Sequence, residues 1–186
     1  MARLTYVINM SLDGFIEDAD GNLDWGEPDD EEFVFITGLI RPIGTHLLGR
    51  RMYETMAVWE TDSSLAAASP AMRDFAEIWQ AVEKVVYSRT LNKVWTSRTR
   101  LERELDMDAV RAMKTSESRD IAIAGPELAA EPIRAGLVDD YHFFVAPVAL
   151  GAGKHALPQD VRLQLELRDE RRFSNGVVHL HYASAG

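Results

Sequence analysis

Apolar side chains fall at positions 4, 6, 8 and 10 through Leu4-Thr5-Tyr6-Val7-Ile8-Asn9-Met10, and this two-residue period predicts a β-strand. Asp13-Gly14 and Asp20-Gly21 are turn signals on either side of Phe15-Ile16, and residues 17–29, with six carboxylates, a Trp and a Pro, read as an irregular loop. The period then lengthens. Pro28 stands where a first helical turn begins, Asp29, Asp30, Glu31 and Glu32 lie at the positive end of the dipole, and Phe33, Ile36, Leu39 and Ile40 follow at helical spacing until Pro42 and Gly44 stop the helix. His46-Leu47-Leu48 is a short apolar strand running into Gly49, and Arg50 to Ala57 is helical. Ser69-Pro70 opens a helix with Met72, Phe75, Ile78, Trp79 and Val82 on one side, and Lys84 to Ser88 is the next strand.

Asp108 to Lys114 reads as a helix and Ile121-Ala122-Ile123-Ala124 as a strand; Gly125-Pro126 then leads into a helix that Gly136 is placed to cap. Tyr141 to Val148 is a strand, and the runs Leu163–Phe173 and Val177–Tyr182 flank Ser174-Asn175-Gly176, where Asn-Gly favours a hairpin. Strand–helix units followed only by strands predict an α/β fold: a mainly parallel sheet with helices on both faces and an antiparallel hairpin at its C-terminal edge. With 186 residues and no repeat, low-complexity tract or long linker, the chain is expected to form a single domain over 1–186.

Composition narrows the function. The 30 acidic and 20 basic residues give a net charge of −10, which argues against nucleic acid or an anionic membrane as partner, since both need a basic face. No apolar run reaches the roughly 18 residues of a membrane span, and the N-terminus lacks the layout of a secretory signal. The chain has no cysteine, so it holds no disulfide, thiolate metal site or cysteine nucleophile; this fits a cytoplasmic location.

Against that acidic background, three strand-to-helix junctions place a glycine or small polar residue directly after an apolar strand: Leu48-Gly49-Arg50-Arg51, Tyr87-Ser88-Arg89-Thr90 and Ala124-Gly125-Pro126-Glu127. In open α/β sheets ligands collect at the carboxyl ends of strands, free helix N–H groups bind phosphate, and Arg adds a charge-assisted contact. Two of the three carry Arg, so local charge opposes the global charge and points to an anionic nucleotide. Neither a P-loop nor a Gly-x-Gly-x-x-Gly fingerprint is present.

The segments Met10-Ser11-Leu12-Asp13-Gly14, Leu48-Gly49-Arg50-Arg51-Met52-Tyr53-Glu54, Val86-Tyr87-Ser88-Arg89-Thr90-Leu91 and Gly136-Leu137-Val138-Asp139-Asp140 resemble those of the dihydrofolate reductase superfamily, in the family's order. Pro147 to Lys154, Pro-Val-Ala-Leu-Gly-Ala-Gly-Lys, is similar to the branch formed by the C-terminal reductase domain of riboflavin-biosynthesis deaminase-reductases. The resemblance implies a dihydrofolate-reductase-like three-layer fold, an oxidoreductase using NADPH, a small pterin- or pyrimidine-like substrate, and a homodimer. It implies that Gly49, Arg50 and Arg51 hold phosphates, that Ser88 and Arg89 meet the adenosine ribose and its 2′-phosphate, that Gly125, Pro126, Glu127 and Leu128 lie along the pyrophosphate and nicotinamide ribose, and that Met10 and Ser11 face the nicotinamide. Where the family often has a cis Gly-Gly pair this chain has Gly125-Pro126, and proline's tolerance of cis predicts that this bond is cis.

Hydride transfer needs a proton source. Asp30 is the candidate by position in the family's loop-to-helix entry, although Asp29 to Glu32 also read simply as helix-start residues complementing the dipole. His155, after the Gly151-x-Gly153-Lys154 loop, is a second candidate; its alternative is an exposed loop residue. His179 and His181 alternate on a late strand, but no third ligand is evident, and no metal is expected. Trp25 is expected to border the nicotinamide, whereas Trp59 and Trp79 read as core or dimer-contact residues. The apolar strand around Phe143-Phe144-Val145 and the late hairpin are candidate dimer contacts. A protein that kept the fold and binds nucleotide without turnover is the alternative function.

Overall fold

The computed structural model describes residues 1–185. Its strands are β1 (Leu4–Ser11), β2 (Phe15–Glu17), β3 (Ile43–Gly49), β4 (Glu83–Tyr87), β5 (Thr99–Glu102), β6 (Asp120–Ala124), β7 (Asp140–Ala146), β8 (Lys154–His155), β9 (Leu165–Arg172) and β10 (Val178–Ser184). Its helices are α1 (Asp30–Ile40), α2 (Arg50–Met56), α3 (Val58–Thr61), α4 (Ser63–Ala68), α5 (Pro70–Ala81), α6 (Met107–Ser116) and α7 (Pro126–Arg134). Eight strands form one sheet in the order β5-β4-β3-β6-β1-β7-β10-β9, and β2 and β8 form a separate two-stranded ladder. β5 to β7 in that order run parallel; β10 is antiparallel to β7, and β9 to β10. This is the expected parallel sheet with an antiparallel hairpin at one edge.

The three layers follow from side-chain alternation. Successive strand residues point to opposite faces, so Leu47 and Val85 enter one core while Leu48 and Val86 enter the other. Strands covered on both sides therefore read as unbroken apolar runs. One face packs Leu4, Tyr6, Ile121 and Ile123 against Val110 of α6 and Ala129 and Ile133 of α7. The other packs against Phe33 and Ile40 of α1, Tyr53 of α2, and Phe75 and Trp79 of α5. Phe143 and Phe144 are buried inside this chain, so the strand expected to meet a second copy is core instead.

Several local expectations change. α1 starts at Asp30, because Asp29 is its N-cap: the Asp29 side chain accepts from the Glu32 amide while Glu32 reaches back to the Asp29 amide. Pro28 therefore precedes the cap. β3 begins at Ile43, and Gly44, expected to stop a helix, lies within it; a Cβ there would come 2.8 Å from the Cβ of Arg119. The described residues contain no cis peptide bond. Gly125 turns the chain instead with φ of 96°, a region open to glycine. α3, α4 and β5 were not anticipated; each is short and carries no fully buried residue. Gly136, at φ 64°, does end α7, with the Leu137 amide donating back to the Pro132 carbonyl.

Two buried basic side chains lie in the layer below α5. Lys84 Nζ donates to the carbonyls of Trp79 and Val82 at 3.0 and 3.1 Å and pairs with Glu60 at 3.0 Å, closing the end of α5. His46 packs edge-on against Trp79 at 5.1 Å with no hydrogen-bond partner for Nε2. Burial, reinforced by the Lys84 charge, drives His46 from the ordinary 6.5 down to about 3. Burial likewise depresses His142 and His179, whose rings face each other at 2.9 Å, Nδ1 to Nε2. All three stay neutral in the folded chain while the unfolded chain takes up protons below about pH 6.5. Stability is therefore full above that pH and is lost as pH falls toward the folded values. In urea titrations between pH 7 and 5, stability should drop steeply. His46→Leu should flatten the slope by about 1.4 kcal/mol per pH unit below pH 6; an unchanged slope would refute a neutral buried His46.

Candidate active site at the carboxyl edge of the sheet

Parallel strands end on a common edge, and their register decides which ends are neighbours. Gly49 pairs with Tyr87, and Leu48 with Ala124, so the ends of β4, β3 and β6 stand side by side. The three junctions expected from sequence, at Ser88, Gly49 and Gly125, thus form one continuous rim. β1 continues beyond its last pair with β6, Tyr6–Ile123, so Asn9, Met10 and Ser11 overhang the Gly125 junction, and Ser11 pairs with Ala146 of β7.

At the β3 junction Gly49 is the N-cap of α2 with ordinary negative φ, and a Cβ there would meet only Leu128 at 3.9 Å. The rim is therefore open at this point. Arg50 donates to Glu54 at 2.8 Å and to the Thr90 hydroxyl at 3.0 Å, so it reaches across to the β4 junction. There the Ser88 hydroxyl accepts from the Leu91 amide at 3.0 Å, and Arg103 holds the Ser88 and Leu91 carbonyls. Arg89 is exposed on this turn.

Arg51 is turned elsewhere. It forks onto the Glu17 carboxylate at 3.2 and 3.0 Å, and Lys154 reaches the same carboxylate at 3.4 Å while pairing with Glu127 at 2.8 Å. This clasp joins β2, β8 and the first turns of α2 and α7. Burial works against the Glu17 charge, but Arg51 and Lys154 outweigh it and hold the carboxyl below its ordinary range. Ser11 is also engaged internally: it donates to Asp13 at 2.7 Å and accepts from the Phe15 amide. Asp13 in turn accepts from Ser11, Leu150 and Gly151, which hold its carboxyl down at about 2.

Next to this rim a cleft of about 250 Å³ lies between the start of α1, the Trp25 turn and the β9–β10 hairpin, lined by Asn9, Trp25, Glu32, Phe144, Pro147 and Asn175 among others. Of the two carboxylates that line it, Glu27 is exposed and Glu32 is only 2% exposed. Burial raises the Glu32 pKa above the usual range. Asn175 Nδ2 and the Asp29 amide both donate to its Oε2, at 2.5 and 3.3 Å, which leaves Oε1 for another partner. Asp30 points away from the cleft: it is exposed and accepts from Ser69 at 3.1 Å. His155 is exposed on β8 against the Phe15 ring at 4.6 Å. Among the described residues no group of three His, Cys, Asp or Glu side chains is arranged to hold a metal; His181 stacks on His142 at 4.1 Å and bonds Asp140.

Glu32, Asn9 and Asn175 were absent from the sequence candidates. Asn175-Gly176 carried a turn signal that masked its side chain, and Glu32 was one acid in a run of four. The spacing Asp29-x-x-Glu32 is the signal that separates it, since a capping box holds the N3 carboxylate back against the helix start.

A mainly parallel three-layer sheet with this strand order, junction rim and hairpin defines a dihydrofolate-reductase-like α/β protein. The model of the RibD C-terminal domain matches residues 2–179, and the chain belongs to that family. The uncharacterized protein YyaP of Bacillus subtilis (strain 168) is 29% identical over 183 residues, 97% of this chain and 94% of its own length. Among solved structures, the putative riboflavin biosynthesis protein of Shewanella sp. PV-4 is similar at TM-score 0.76 and 18% identity, with 100% of both chains covered. The dihydrofolate reductase of Enterococcus faecalis is similar at TM-score 0.64 and 14% identity, covering 99% of this chain and 97% of that one. No helix among the described residues is long and apolar enough to cross a membrane.

The clasp depends on Gly153. Its φ is 147°, and a Cβ there would stand 1.9 Å from the Glu17 carbonyl oxygen. Gly153→Ala should separate β2 from β8 and cost about 1–3 kcal/mol, with earlier proteolysis within residues 12–23; an unchanged melting temperature would refute this.

Proposed function

We propose that the chain is an NADPH-dependent reductase that passes hydride to a small pterin- or pyrimidine-like substrate. The observation that carries this reading is the adjacency of two sites: an open junction rim with Arg50 and Arg89 at one turn, beside a cleft whose only deeply buried carboxyl is that of Glu32. Membership of the RibD C-terminal domain family supports it, as does the likeness in fold to a dihydrofolate reductase solved with NADP(H).

The residues present fit such a cofactor. Gly49 leaves room for close approach, the α7 amides stand behind Gly125, and Arg89 with Arg50 supplies positive charge suited to a 2′-phosphate. When bound, NADPH supplies the hydride. The chain's own residues supply orientation and the proton. Arg51 and Lys154, held by Glu17 and Glu127, keep the β1–β2 loop against the rim. Trp25 and Phe144 give the cleft apolar walls. Glu32, with Oε1 unengaged, accepts an N–H from a heterocycle or, protonated, delivers a proton to it; the raised pKa keeps the proton available closer to neutrality. Asn175 fixes the Glu32 rotamer.

NADPH titration by fluorescence tests the cofactor: saturation should occur well below about 100 μM, within the usual range for a working cofactor. Arg89→Ala should weaken NADPH by about 10- to 100-fold, the loss of a charged hydrogen bond, and leave NADH within about twofold; equal losses would refute the 2′-phosphate role. Glu32→Gln should leave NADPH affinity unchanged while lowering kcat by about 100-fold or more with pterin or aminopyrimidine substrates. Tight NADPH binding without oxidation by any such substrate would favour the alternative, a nucleotide-binding protein without turnover.

A further inference from the structure

The cleft beside the rim offers acceptors to a ligand and no cation. Two carboxylates and two amides line it, Glu27, Glu32, Asn9 and Asn175, and none of its lining residues is Lys, Arg or His. Glu32 is buried with Oε1 free. Asn9 donates Nδ2 to the Gly26 carbonyl at 3.3 Å, which leaves its Oδ1 as a second acceptor. Asn175 is engaged at both ends: it donates to Glu32 at 2.5 Å, and its Oδ1 accepts from the Val177 amide at 3.0 Å. Glu27 is exposed, and among the described residues no cation pairs with it.

The helix start at the cleft is closed to anions as well. A helix N-terminus ordinarily attracts phosphate, but here Asp29 is followed by Asp30, Glu31 and Glu32, and the Asp29 carboxylate takes the Glu32 amide at 3.0 Å. The first turn of α2, at the rim, has the opposite make-up, with Arg50 and Arg51 and no acid. The hairpin brings one cation to α1, Arg171, yet it pairs with Glu31 at 3.1 Å and lies 5.1 Å over the Phe35 and Phe173 rings, in a separate groove. The rim cations are engaged elsewhere. Arg50 bonds across to Thr90 at the end of β4, and β3 and β6 stand between β4 and β1 in the sheet. Arg51 and Lys154 are held by Glu17 and Glu127.

We infer that the substrate of this cleft carries no phosphate or carboxylate group, and that Glu27 is the specificity-determining residue that turns such a ligand away. The ligand is an uncharged or cationic nitrogen heterocycle, as the free base or a nucleoside. This rests on the reductase reading for the role of the cleft and goes beyond it in fixing the charge of the substrate. Ring N–H groups have Glu32 Oε1 and Asn9 Oδ1 to bond, between the apolar walls of Trp25 and Phe144. A phosphate on the same ligand has no cation to meet in the cleft, only two carboxylates in a chain of net charge −10. Like charges a few ångströms apart near a protein surface weaken binding by at least about tenfold. The penalty shrinks as salt screens it.

The experiment is calorimetric titration of the full chain, with and without NADP⁺ so that no hydride is transferred, using matched pairs of ligands. One pair is a ribosylated aminopyrimidine with and without its 5′-phosphate; the other is pterin and pterin-6-carboxylate. In each pair the member without the anionic group should bind at least about tenfold more tightly at low salt, with the gap narrowing at high salt. Glu27→Gln should close part of the gap, and Glu27→Lys should close or reverse it by a further tenfold or so; at an exposed position neither change disturbs the core. Equal or tighter binding of the anionic members, or a gap that Glu27→Lys leaves unchanged, would overturn the inference while leaving the reductase reading in place. The expected gap without NADPH oxidation by any bound ligand would uphold the charge selectivity and overturn the reductase reading instead. Binding of neither member of either pair would overturn both.

Discussion

Six strands that run in one direction must finish along one edge, and the candidate site is a consequence of that register. The Gly49–Tyr87 and Leu48–Ala124 pairings bring together three turns that lie some forty residues apart in the chain. Each turn by itself is an ordinary strand exit. Side by side they present an open rim with Arg50 bridging two of the turns. The overhang of β1 past β6 then sets Asn9 and Met10 above the third turn, and the pairing of β1 with β7 carries the edge on to Phe144 and Pro147 in the cleft wall. A slip of one residue in any of these pairs would turn the rim side chains to the opposite face.

An acidic chain has to build its basic sites by local arrangement. Here the cations of the rim are divided between two tasks. Arg50, paired with Glu54 on its own helix, and Arg89 stay near the surface at the Ser88 turn, whereas Arg51 and Lys154 are tied across elements to Glu17 and Glu127. The half-buried clasp is more than a surface ion pair, because Glu17 is only 12% exposed and cations from two separate elements, α2 and β8, converge on it. Its cost in burial is met by a bidentate Arg and a Lys. What it provides is position: the β1–β2 loop, which has little core of its own, is tied to the helices whose first turns form the rim.

Much of the fold was legible because period and punctuation agreed. The switch from alternation in β1 to helical spacing after Pro28, the Ser69-Pro70 start of α5, the Gly136 stop of α7 and the Asn-Gly turn of the hairpin each rest on local stereochemistry that tertiary packing did not override. The short elements α3, α4 and β5 were not legible, since they bury too little to impose a period. The junction residues were legible as a set, because a small residue after an apolar run is a local pattern. The partners of their side chains were not. That Arg51 turns to Glu17, or that Ser11 is taken by Asp13, depends on elements brought close only by the fold.

The choice among the four acids at the start of α1 shows where local reasoning stops and geometry takes over. Successive helix residues are rotated by about 100°, so neighbouring carboxylates must face different surroundings. Asp29 caps the helix, Asp30 faces Ser69, Glu31 faces Arg171 and Ser174 across the hairpin, and only Glu32 turns inward beside Asn175. The capping box supports that inward turn, since the same carboxylate reaches back to the Asp29 amide and lines the cleft. A structural motif that fixes the helix start thereby delivers a buried carboxyl group, with its pKa raised by burial, to a cavity that borders both the hairpin and the end of β1.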